Sequence, residues 1–234
     1  MKRIEFGELR IGEMARQNLM DVCDTSWASG GPKVKKLESQ WSSLFNYKES
    51  VAMSSGTDGC MNACFSLYDL KDAKRNVSEV IVPALSFIAT SNAVRASGLV
   101  PRFVDVTKET LNIENTVAIQ VVHTMGRMAE MDVICEIAQR HNLILIEDAC
   151  EAHGAKFKDK FVGHWGDMSI YSFYIAHLVC CGEGGMVSTN DENIAKYLFS
   201  TRTHGRPFNS IYFDHQRTGL NSKIEDVAWF SEED

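Results

Sequence analysis

Apolar runs of strand length alternate with amphipathic stretches from residue 77 to residue 205, and few folds tolerate that order. VSEVIVPA (77–84), LVPRFVDV (99–106), VAIQVVH (117–123), LILIEDA (143–149), DMSIYSFY (167–174) and GGMVST (184–189) read as buried strands. AEMDVICEIAQRHN (129–142) carries apolar residues at Val133, Ile134, Ile137 and Ala138, the spacing of a helix face, and Asn142 is a stop signal. NDENIAKYLFSTRTHG (190–205) opens on a capping residue and reads as a second helix, while KFKDKFVG (156–163) reads as a hairpin. Strands alternating with helices predict an α/β fold: three layers, with a mixed, mostly parallel sheet flanked by helices. One connection is too short for that pattern. Only ten residues, TKETLNIENT, separate the strand ending at Val106 from the strand starting at Val117. A parallel crossover needs about a dozen or more. Either the crossover is trimmed or these two strands are not parallel neighbours.

A chain of 234 residues can bury a sizeable core. Its net charge of −7 argues against nucleic acid or an anionic membrane as main partner, so an anionic ligand must be held by local donors. The start, MKRIEFGELRIG, has no apolar signal core, and no later run approaches a membrane span, which predicts a cytoplasmic protein. The cysteines, Cys23, Cys60, Cys64, Cys135, Cys150, Cys180 and Cys181, fall mostly in apolar runs and read as reduced core thiols. Cys60 and Cys64 share a helix face, but no second pair has zinc-site spacing, so no metal is expected.

Four local features carry chemistry. In SSGTDGCMNACFSLYDL (54–70), Gly56 and Thr57 open a helix; free N–H groups beside a hydroxyl there make either a phosphate cradle or a simple N-cap. In IEDACEAHGA (146–155), Asp148 follows an apolar strand and is either a capping acid or the partner of a cationic ring nitrogen. In PALSFIATSNAV (83–94), Phe87 is either core or a ring that stacks on a flat ligand. In YSFYIAHLVCCGEGG (171–185), Ser172 can donate to a phosphate, and His177 is either structural or a base near neutral pH. A phosphate cradle, a stacking ring and an acid for a ring nitrogen are together the parts that hold pyridoxal phosphate.

With these residues in hand the chain resembles the DegT/DnrJ group of PLP-dependent nucleotide-sugar aminotransferases, of the aspartate-aminotransferase fold (fold type I). The resemblance runs from GPKVKKLE (31–38) through SSGTDG, VPALSFIATSNAV, PRFVDV, VVHTMGRMAEMD, IEDACEAHGA, YSFYIAH and GEGGMVST to GLNSKIED (219–226). It implies that Gly56, Thr57 and Asp58 hold the cofactor phosphate and that Phe87 stacks on the ring. Asp148 would pair with the ring nitrogen, Glu151 would lie near the ring hydroxyl, and Ser172 would bind the phosphate. Asn221 would reach the phosphate of a neighbouring subunit's cofactor, which implies a homodimer; His123 and Glu183 match motif positions with less definite roles.

At the position of His177 the family's aminotransferases carry the lysine that links covalently to PLP. Imidazole forms no stable equivalent. Lys156, Lys158 and Lys160 lie in the hairpin and match no catalytic position. The resemblance therefore narrows to the smaller branch, the nucleotide-sugar 3-dehydratases, with HTMG at 123–126 in keeping. There the amine form of the cofactor, PMP, is held without a covalent link. The His takes a proton from its methylene as a 4-keto-6-deoxy sugar loses its C3 hydroxyl. The implied ligands are PLP or PMP, a nucleotide-linked keto sugar and an amino donor such as glutamate. The implied organisation is an N-terminal arm (1–20), a PLP-binding large domain (21–205) and a segment (206–234) that starts toward a small C-terminal domain largely absent here. Two alternatives remain: a sugar aminotransferase of the same family, and a cofactor-binding or interaction protein on this fold that has lost catalysis.

Overall fold

The structure, a computed structural model, describes residues 11–28, 30–105, 114–208, 210, 212 and 214–226. The strands are β1 (Glu49–Met53), β2 (Glu79–Pro83), β3 (Val100–Val104), β4 (Thr116–Val122), β5 (Ile144–Asp148), β6 (Lys156–Phe157), β7 (Lys160–Phe161), β8 (Met168–Ser172) and β9 (Gly185–Thr189). The helices are α1 (Glu13–Thr25), α2 (Pro32–Phe45), α3 (Gly56–Leu70), α4 (Ala89–Ala96), α5 (Met131–Arg140) and α6 (Glu192–Thr201). Each strand read from the sequence is present. Strand β1 and helices α1 and α2 lie outside those readings. The ESVAM run of β1 is short, and pairing to β9 rather than its own pattern makes it a strand.

Seven strands form one sheet in the order β1-β9-β8-β5-β4-β2-β3. The run from β8 to β3 is parallel, and β9 is antiparallel to both β1 and β8. β6 and β7 form the hairpin, with Lys158 and Asp159 at φ 48° and 62° in its two-residue turn. The two strands joined by the short connection are parallel but not neighbours, so the link remains short for a crossover. β2 lies between β3 and β4 and pairs with both. Residues 107–113 of that connection lie outside the described residues, as do 1–10 of the expected arm and 227–234 of the expected crossing segment.

Strand side chains alternate between two faces. On one, Ile146, Ile170, Val187, Val82 and Met53 pack with Cys60, Ala63, Cys64 and Leu67 of α3, Val94 of α4 and Leu198 of α6. On the other, Leu145, Ile119 and Ile81 meet Met131 and Ala138 of α5, while Tyr171, Met186 and Ala52 meet Val34 and Trp41 of α2. Cys60 and Cys64 are thus core thiols; Cys23 is exposed. The chain leaves β2 through α4 toward β3 and leaves β4 through α5 toward β5, with the two helices on opposite faces. The connections diverge between β2 and β4, where open α/β sheets bind ligands at the carboxyl ends of the strands.

Candidate active site

Five of the six sheet strands that point the same way, all but β3, deliver expected residues to that end of the sheet. β1 leads into the start of α3, β2 into the loop bearing Phe87, β4 into His123, β5 ends on Asp148 and β8 ends on Ser172. The spacing of these residues in sequence is wide. The sheet brings them to one edge.

The α3 start is held open as a donor site. Ser55 caps it, with its hydroxyl accepting from the Asp58 amide at 3.0 Å. The Gly56 and Thr57 amides find no protein acceptor among the described residues. A β carbon on Gly56 would fall 2.7 Å from the Ser172 β carbon and 3.2 Å from the Cys150 sulfur. Ser172 therefore lies directly against the helix start, as a residue sharing a phosphate with it must. Thr57 is exposed beside them. The Asp58 carboxylate accepts from the Ser54 hydroxyl.

Asp148 is buried with little relief. Its carboxylate receives a long bond from the Thr90 hydroxyl at 3.4 Å and one from the Cys150 amide at 3.3 Å. Burial pushes its pKa up, against these donors and the nearby His123. Among the described residues it makes no ion pair. Glu147, its neighbour, is different. It accepts from His123 Nε2 at 3.0 Å and from the amides of Gly163, Trp165 and Gly166 at 2.6 to 2.8 Å. His123 Nδ1 accepts from the Ala129 amide at 3.3 Å, which leaves the proton on Nε2. His123 is thereby a structural clamp between β4 and the 163–166 loop.

His177 sits in the loop after β8, half-buried. Burial lowers its pKa, and the charges of Glu151 and Asp148 pull the other way. Its ring lies 6.3 Å from that of His153 and 6.2 Å from that of Tyr174. Glu151 is exposed and accepts from the Met125 amide, tying the HTMG turn to this end of the sheet. Phe87 is 74% exposed at the same end, with a free ring face. Glu183 is exposed beyond the loop. Asn221 is exposed and pairs by backbone with Thr203, while the Ser222 carbonyl accepts from the Ser54 amide.

The hairpin lysines are occupied elsewhere. Lys156 lies 4.3 Å from the Phe161 ring centre, Lys160 lies 4.6 Å from that of Trp165, and Lys158 pairs with Asp132 at 2.7 Å. Sequence reasoning missed Thr90, Cys150 and His153, all of which touch or flank the site. The alternation of Glu147 and Asp148 on β5, with Cys150 two residues on, was the signal available. The arrangement as a whole suits a flat ligand with a phosphate at one end and a cationic ring nitrogen at the other, with an imidazole beside it.

A model of the DegT/DnrJ/EryC1/StrS aminotransferase family matches residues 9–228. GDP-perosamine synthase of Caulobacter vibrioides is 32% identical over 96% of this chain and 64% of its own length. The spore coat polysaccharide biosynthesis protein SpsC of Bacillus subtilis is 33% identical over 83% of this chain and 51% of its own. The chain spans roughly half to two thirds of the curated relatives it matches. Among solved structures, an E coli GDP-4-keto-6-deoxy-D-mannose-3-dehydratase with bound hydrated PLP superposes with a TM-score of 0.84 at 26% identity, covering 97% of this chain and 65% of that one. Helicobacter pylori PseC, an aminotransferase, superposes at 0.86 with 21% identity over 97% and 63% of the two chains, a likeness of fold. Sheet order, the residues at its carboxyl edge and the length of the sequence match agree: the chain belongs to the DegT/DnrJ/EryC1/StrS aminotransferase family.

Proposed function

We propose that the chain binds PMP without a covalent link and serves the 3-dehydration of a nucleotide-linked 4-keto-6-deoxy sugar, with His177 as the base. The observation that carries this reading is His177 itself. It lies in the loop after β8, which ends on Ser172, at the one position where the family resemblance expects a covalent lysine.

The residues present fit such a cofactor. The unclaimed Gly56 and Thr57 amides and the Ser172 hydroxyl take its phosphate, since a helix start favours an anion. The buried Asp148 carboxylate takes the ring nitrogen's proton side, and a cation there offsets the cost of its burial. Phe87 would cover the ring face, and Glu151 would lie toward the ring hydroxyl. Bound PMP supplies a ring that takes up electrons when its methylene loses a proton. His177 accepts that proton. Its lowered pKa keeps the imidazole neutral, hence able to accept, at pH 7. Returned to the C3 hydroxyl, the same proton lets water leave as the C–O bond breaks.

A second reading, transamination of the same class of sugar with glutamate as donor, is favoured by the 32% identity to a perosamine synthase. It needs a lysine at the cofactor, and the hairpin lysines are engaged with rings and Asp132. One experiment separates the two. The protein is incubated with PLP, reduced with borohydride and analysed by peptide mass spectrometry. The first reading gives no pyridoxyl group on Lys156, Lys158 or Lys160; a stoichiometric adduct on any of them favours the second and contradicts the first.

We also propose that two copies share their sites, with Asn221 reaching the neighbour's cofactor. Leu85, Phe87, Ile88, Tyr174, Leu178 and Val179 form an exposed apolar group around the site, larger than scattered surface residues require. Sedimentation at micromolar concentration should give a dimer. A monomer that binds PMP as tightly would contradict the sharing.

A further inference from the structure

Thr90, the second residue of α4, is 1% exposed and bonds in two directions. Its amide donates to the Phe87 carbonyl at 3.1 Å, which closes the turn that carries the Phe87 ring. Its hydroxyl donates to Asp148 Oδ2 at 3.4 Å. The other carboxylate oxygen, Oδ1, accepts from the Cys150 amide at 3.3 Å. One oxygen is thus held by the chain that continues from β5, and the other from beyond β4, by the connection that leaves β2. Bonds on both oxygens fix the plane of a carboxylate, whereas a bond on one leaves the broad terminal torsion of an aspartate free to turn. Among the described residues no other hydroxyl reaches Asp148.

We propose that Thr90 is a positioning residue: its hydroxyl orients the Asp148 carboxylate toward the ring nitrogen of the cofactor and ties it to the turn that bears Phe87. The inference rests on the reading that PMP occupies this site. An ionised carboxylate only accepts, so the hydroxyl proton must point at it, and the bond gains charge assistance that a protonated Asp148 would forfeit. Thr90 therefore favours the ionised form, the one that a cationic ring nitrogen pairs with. Burial raises the Asp148 pKa, and the Cys150 thiol and amide, His123 and Thr90 oppose it. The titratable groups that face Asp148 are His123 from β4, Cys60 from α3, Cys150 after β5 and His177 after β8. Burial pushes both thiols well up, so they stay neutral at acid pH. His177, with its lowered pKa, titrates on the acid side and has to be controlled for.

The test is fluorescence titration with PMP across the acid-to-neutral range, for the natural chain, Thr90→Val and Thr90→Ser, each with and without His177→Asn. Valine keeps the shape of threonine and the amide bond to Phe87 but has no hydroxyl; serine keeps the hydroxyl. Thr90→Ala carries the same expectation as Thr90→Val where valine unfolds the chain. The inference expects Thr90→Val to bind PMP about three- to tenfold more weakly. Affinity is lost as pH falls through the Asp148 pKa of the cofactor-free protein, and losing a donor to the carboxylate raises that pKa. The acid limb of the affinity curve should therefore move to higher pH, by up to about one unit. Thr90→Ser should restore both, and the shift should persist with His177→Asn. In an Asp148→Asn background Thr90→Val should add no further loss. A packing role alone would lower the thermal midpoint and leave the acid limb in place. PMP bound by Thr90→Val with the affinity and acid limb of the natural chain, or a full loss in the Asp148→Asn background, overturns this inference and leaves the cofactor reading standing. A natural chain that binds no PMP overturns the cofactor reading, and this inference with it.

Discussion

Glu147 and Asp148 are consecutive on β5 and serve opposite faces of the sheet. Glu147 receives four donors on the α5 side, and Asp148 receives two long ones on the α3–α4 side. The first is satisfied as structure, and the second is kept short of partners. The difference predicts opposite effects of Asp148→Asn on stability and on binding. Removing a charge that burial disfavours should raise the thermal midpoint of the cofactor-free protein. Losing a charge-assisted bond to the ring nitrogen should weaken PMP binding about ten- to a hundredfold. Fluorescence titration and a melting curve on one preparation check both. An unchanged PMP affinity would place the cofactor elsewhere.

His153 makes a prediction about pH. Its ring is packed edge-on by Trp41, Tyr171 and Phe173. Neither ring nitrogen makes a hydrogen bond of good geometry, and the nearby Ser172 backbone relieves its burial only in part. Burial, then the neighbouring His177, lowers its pKa from 6.5 to about 4. Between those values the unfolded chain binds a proton that the folded chain refuses. Stability is therefore lost as pH falls through the window, and the loss is complete below about pH 4. At about 1.4 kcal/mol per pH unit the full loss is about 3 kcal/mol. Urea unfolding of the natural chain and of His153→Phe at pH 7, 5 and 4 should show the variant losing less. Parallel curves would mean that His153 takes its proton within the fold.

Much of this was legible in the sequence, and the reason is physical. A buried parallel strand must be a continuous apolar run, so LILIEDA and VSEVIVPA announced β5 and β2, and residues stranded just past such runs fall at the ligand edge. That placed Asp148, Ser172 and Phe87. The neighbour order was not legible, because β2 lies between β3 and β4 through pairing distant in sequence. Asp58 illustrates the other limit. Its motif position implies the phosphate, and only the fold shows that its carboxylate, in a first helical turn, accepts from the local Ser54 hydroxyl. Glu147 and His123 read as an acid at a strand end and a motif histidine; only the fold reveals them as one buried clamp.

The central claim is that His177 moves the proton that a lysine would move in the aminotransferases. It is tested most directly by the rate at which PMP methylene hydrogens exchange with deuterated solvent, in the presence of a 4-keto-6-deoxy sugar nucleotide, for the natural chain and for His177→Asn. A positioned general base contributes roughly 10²- to 10⁴-fold. The account predicts that exchange slows by about that factor while PMP affinity stays the same, and that in the natural chain it slows as pH falls below a histidine pKa shifted under 6.5. Exchange in His177→Asn as fast as in the natural chain would make His177 a structural residue and contradict the account.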